Sequence, residues 1–162
     1  MSLAYVPLLA STVLGVIRIR KLQLNIRSMV YFLSFECVVQ VLASYLSFSG
    51  INNLWLLYLY TPINFALAAY FYHVLLKEYL GRSIIWIIVS SFVILVGVDA
   101  LFIKNLHEFS SLVLTVRSVL IVILALSTLV LLLNDKKYSF GHDSVNWVNY
   151  GFLLYHASSL LL

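Results

Sequence analysis

Glu36 and Arg117 each put an ionised group inside a long run of apolar residues, and they are the two side chains with the strongest reason to do chemistry. A charge near the centre of a bilayer-spanning helix costs about 2.5 to 3.5 kcal/mol, so such groups turn inward, where they pair, bind or relay. Two kinds of chemistry are open to this carboxylate and guanidinium: an ion pair that fixes helix register, or a site for a ligand or a proton. Around them, Glu36, Gln40 and Ser44 recur every four residues and share one helix face, as do Tyr60 and Asn64; Asn149, His156 and Ser159 share a face with Phe152. Counted along the helices, Gln40, Asn64 and His156 fall near the midplane, with Glu36 to one side and Arg117 to the other, about 10 Å apart in depth. Glu36, Gln40, Asn64, Arg117 and His156 are therefore the candidate ligand-binding set, lining a polar pocket open toward the outside. The same residue types also serve as interhelical hydrogen-bonding glue, and the sequence leaves both readings open.

Other chemistries lack their residues. Cys37 is the only cysteine, and His73, His107, His142 and His156 are scattered, so neither a disulfide nor a metal cage is expected. There is no H-E-x-x-H pair, no Gly-rich phosphate loop and no G-x-S-x-G elbow. No lysine sits mid-helix to form a Schiff base. Catalytic residues, metal and cofactor are all expected to be none. A lipid-active enzyme with Glu36 or His156 as base would lack a nucleophile and a phosphate clamp.

The elements that carry these residues follow from hydropathy. Charged residues make up 10% and apolar residues 63% of the chain, with mean hydropathy +1.03; a soluble domain has about a quarter and about half. A hydrocarbon core of about 30 Å takes about 20 apolar residues in a helix. The pattern predicts an all-α, polytopic transmembrane bundle of six helices at 3–17, 28–48, 53–76, 83–103, 111–133 and 145–162, with 1–162 forming a single domain. Arg18, Arg20, Lys21 and Arg27, then Lys77 and Arg82, then Lys136 and Lys137 occupy alternate loops; of the ten basic residues only Lys104 and Arg117 lie elsewhere. Short basic loops stay in the cytoplasm, which puts the N-terminus on the non-cytoplasmic side. The first segment has its basic residues after the apolar run, so it reads as a retained helix and not a cleaved signal. A net charge of +4 spread over short loops forms no nucleic-acid surface. The expected partners are the lipid bilayer, a small or lipidic ligand, and a membrane protein or second copy of the chain.

Finer expectations attach to single residues. Trp55 and Tyr58 at one interface, and Tyr79, Trp86 and Trp147 at the other, read as an aromatic belt. Pro62 removes a backbone donor two residues before Asn64 and is expected to kink its helix. Asp99, Lys104, His107 and Glu108 read as a solvated outer loop. Leu160, Leu161 and Leu162 close the sequence with no polar flank, from which either a truncated chain or a following seventh helix is expected.

Two stretches carry a resemblance: Ile51-Asn52-Asn53-Leu54-Trp55 running into Tyr60-Thr61-Pro62-Ile63-Asn64-Phe65, and Asn146-Trp147-Val148-Asn149-Tyr150-Gly151 running into Leu154-Tyr155. They resemble a group of small multipass membrane proteins common in Bacteroidota. The resemblance implies a seven-helix topology and no particular activity, with a glutamate frequent where this chain has Asn64. A looser likeness is to the multipass sensor regions that precede bacterial histidine kinases. Together with the polar layer, these point to a non-enzymatic sensory or ligand-binding module of the inner membrane. A small transporter or proton-coupled carrier and a structural partner subunit are the alternatives.

Overall fold

The structure is a computed structural model that describes residues 5–77, 79, 81–103, 110–134 and 144–161. Among them are six α-helices and no strand: α1 Tyr5–Arg18, α2 Leu24–Phe48, α3 Leu54–Leu76, α4 Arg82–Val98, α5 Ser111–Asn134 and α6 Ser144–Ser159. A 3-10 turn, Ile19–Lys21, follows α1, and a π-helical turn, Asp99–Ile103, extends α4. The all-α bundle expected from hydropathy is what forms. Helix α2 begins earlier than its apolar run, because its polar first turn is helical too: the Arg27 amide donates to the Gln23 carbonyl at 2.8 Å. Lys104, His107, Glu108, Lys136, Lys137, His142 and Leu162 lie outside the described residues.

Four helical stretches are long and apolar enough to cross a membrane: Leu24–Phe48, Leu54–Leu76, Ser83–Phe102 and Ser111–Leu131. Helices α1 and α6 have 14 and 16 residues, which is about 21 and 24 Å of rise. The burial pattern is the reverse of a soluble protein's. Ile94 is 67% and Phe102 82% exposed, while Asn64, Asp99, Asn146, Asn149 and His156 are all buried. An apolar exterior around polar interior positions is the arrangement a bilayer selects.

Helix α3 is the hub, packed against α2, α4 and α5, while α1 lies on α2 and α6 on α5. Its inward residues Phe65, Ala68, Ala69, Phe71 and Tyr72 are almost wholly buried. Phe65 meets Phe92 of α4 at 4.5 Å between ring centroids. Gly15 lets α1 close on α2, since a Cβ there would sit 2.8 Å from Val30 Cγ2. Helices α2, α3, α5 and α6 form a ring, and its loosest seam is between α2 and α6, where Phe32 meets Phe152 edge-on at 5.3 Å.

Two expectations fail. Tyr58 is 7% exposed and donates to Asp99 Oδ2 at 3.3 Å, so it is not a belt residue; Asp99 is buried and not solvated. The π-helical turn is the reason, because it carries the chain on past Val98 with Asp99 in the seam between α3 and α4. Trp55, Tyr79, Trp86 and Trp147 are exposed, as a belt requires.

Candidate functional site

Three helices bring the central cluster together. Glu36 comes from α2, Tyr60 and Asn64 from successive turns of α3, and Arg117 from α5. The Tyr60 hydroxyl donates to Glu36 Oε1 at 2.6 Å, and the Asn64 amide nitrogen donates to the same oxygen. Asn64 Nδ2 also lies 3.0 Å from the Tyr60 hydroxyl, which fixes both α3 residues on one carboxylate oxygen. At its other end, Asn64 Oδ1 accepts from Arg117 Nη1 at 3.4 Å. The guanidinium stands 5.8 Å above the centroid of the Tyr60 ring, a cation over a π face.

Glu36 and Arg117 therefore make no direct ion pair. Helix α3 lies between their helices and inserts an amide, which donates to the anion and accepts from the cation. Each charge keeps an unused position. Glu36 Oε2 takes no hydrogen bond among the described residues. Arg117 is 8% exposed, and its Nε has no partner. A buried donor left unpaired is costly and therefore rare.

Glu36 and Arg117 both line a cleft of about 440 Å³. Its floor is Tyr60, Asn64 and Arg117, and its walls are Met29, Phe32, Leu33 and Glu36 of α2 facing Val148, Gly151, Phe152, Tyr155 and His156 of α6, with Leu8 at one side. Apart from its chain neighbours and the backbone of its own helix, no heavy atom among the described residues would lie within 4 Å of a Cβ on Gly151, so this wall faces open space. The lining runs along the two helices and is mostly apolar, with its polar groups gathered at one end.

The remaining sequence candidates sit differently. His156 reaches the cleft wall, but its Nδ1 faces the Ser118 hydroxyl at 3.3 Å, and Ser118 meets Ser159 at 3.0 Å. Ser118 is buried and is not part of the wall, so this serine and histidine do not present a nucleophile to the cleft. Gln40 is in a second, smaller cleft of about 280 Å³ with Ala43, Asn53 and Leu57, toward the loop between α2 and α3. Glu36 and Tyr60 line both clefts. Tyr60 is the site residue missing from the candidate set, although its spacing of four from Asn64 was the signal for it. Among the described residues no three His, Cys, Asp or Glu side chains converge as metal ligands would.

A separate polar contact lies deeper along the same ring. The Tyr72 hydroxyl donates to Asn149 Oδ1 at 3.1 Å, and Asn149 Nδ2 donates to the Ala125 carbonyl at 3.0 Å, joining α3, α6 and α5. Comparison with family models, curated proteins and solved structures returns no match to the chain.

Proposed function

We propose that this chain crosses the bacterial inner membrane six times, with its N-terminus outside the cytoplasm, and acts as a non-enzymatic module that binds a ligand in the cleft between α2 and α6. Its apolar exterior and the alternation of basic loops support the topology. The described 14 residues of α1 are compatible with a crossing because Arg18, Arg20 and Lys21 can extend to the headgroups and the bilayer can thin locally.

One observation carries the binding reading: a buried arginine and a carboxylate, which make no direct ion pair among the described residues, both line a largely apolar cleft. Sites for small molecules have this composition, apolar walls with a few convergent polar groups. The test is ligand-induced thermal stabilisation of the detergent-solubilised protein by a total membrane lipid extract and by a panel of soluble metabolites. A stabilising component is expected, and Gly151→Trp, which places a large side chain in the cleft, should abolish its effect. If the double variant E36Q/R117Q keeps every ligand-induced shift of the wild type, the cleft is not a binding site.

A carrier is the second reading, favoured by the position of Glu36 and Tyr60 between two clefts. It expects a cysteine at position 64, in a C37S background, to be labelled from either membrane face under some condition. Labelling from a single face under all conditions removes it.

A further inference from the structure

The charges at the cleft floor narrow the class of ligand. One carboxylate and one guanidinium face it, and neither is neutralised by a direct partner, because the uncharged Asn64 amide separates them. Arg117 lines the cleft with a guanidinium, a donor fork that suits a phosphate or carboxylate oxygen. Glu36 lines it with a carboxylate, an acceptor that suits a donor N–H and, in a low-dielectric site, a charged one.

Ligands with a single charge fit badly. An anion on Arg117 stands near the Glu36 carboxylate, and an amine on Glu36 stands near the guanidinium. At an effective dielectric of about 20 and a separation of about 6 Å, that repulsion lowers affinity about a hundredfold. A zwitterion meets both groups at once. Its two charges need a separation of a few ångströms, the span of one amide and its hydrogen bonds, as in an ethanolamine phosphate or an α-amino acid group. The remaining walls, with Met29, Phe32, Leu33 and Val148, offer only hydrocarbon contact. They lie along the loosest seam of the ring, flanked by the outward-facing Tyr31, Val38 and Leu154.

Resting on the reading of the cleft as a binding site, we propose that it takes a zwitterionic amphiphile, with a primary ammonium at Glu36, a phosphate or carboxylate at Arg117, and a hydrocarbon tail between α2 and α6. The headgroup chemistry is common to a membrane lipid and a soluble zwitterion, and the tail favours the lipid.

The test titrates the purified full chain, in neutral maltoside micelles, with lysophosphatidylethanolamine, lysophosphatidylglycerol, dodecylamine and free phosphoethanolamine, following the unfolding midpoint. Lysophosphatidylethanolamine is expected to bind most tightly. E36Q and R117Q should each weaken it by about tenfold or more, the loss of one charge-assisted contact. Gly151→Trp should abolish binding with the helical circular dichroism spectrum unchanged. If the charge variants do not fold, the ranking of probes on the wild type still decides. Phosphoethanolamine binding as tightly as the lysolipid would uphold the zwitterion and overturn the tail. Lysophosphatidylglycerol or dodecylamine binding as tightly would overturn the zwitterion while leaving the cleft as a site. A lipid extract and metabolite panel with no shift sensitive to Gly151→Trp would remove the site itself.

Discussion

Two asparagines do the same job at two depths of this bundle with different results. Asn149 accepts from Tyr72 and donates to the Ala125 carbonyl, so both ends of its amide are used by neutral partners inside the packed junction of α3, α5 and α6. Asn64 also uses both ends, but its partners are Glu36 and Arg117, and a cleft runs past them. The residue type is identical, and the packing around it is not. Helices α5 and α6 close tightly around Asn149, whereas α2 and α6 approach each other sparsely above Asn64. A buried amide is glue where its helices close, and it holds other groups on display where they part.

The sharpest way to break this comparison is Asn64→Leu. It removes a hydrogen bond from each of two charged groups, and a loss of about 3 kcal/mol or more is expected in reversible unfolding in mixed micelles. Little change would mean that water or side-chain movement replaces the amide and that the cluster is loosely held. Tyr60→Phe deletes one bond to the Glu36 carboxylate and should cost about 2 kcal/mol by the same measurement. In the closed layer, Asn149→Leu loses two neutral contacts, and about 1 kcal/mol is expected from the modest worth of interhelical hydrogen bonds in membranes. It should also leave any ligand-induced shift at the cleft intact, so a lost shift would show that the layers are coupled. The smallest effect has the opposite sign. Gly151→Ala adds a methyl where no atom is near, and the gain in helix propensity should stabilise by up to about 0.5 kcal/mol.

The helices themselves were legible because hydropathy reads burial in lipid one residue at a time. That Glu36, Asn64 and Arg117 meet other helices was legible as well, since a charge or amide in an apolar run must turn inward. Adjacency was not. Nothing in the spacing says that α3 lies between α2 and α5, so the sequence left a direct pair of Glu36 with Arg117 open where an amide intervenes. Gln40 shares a face with Glu36 by spacing, but it lies one turn further along, past the Tyr60 ring, which stacks on Phe35 at 6.0 Å. It therefore falls in the other cleft. Asp99 looked like loop because the apolar run ends near it, and the π-helical turn that buries it has no simple signature in hydropathy.

The amide between the two charges also decides what can travel along this line. A carboxamide neither gains nor gives up a proton near neutral pH, and an arginine does not release one. The hydrogen bonds from α2 to α5 are thus continuous in geometry but insulating to protons, transmitting orientation and field without current. Asn64→Asp would insert a group able to hold and release a proton beside Glu36, while Arg117 would still end the line.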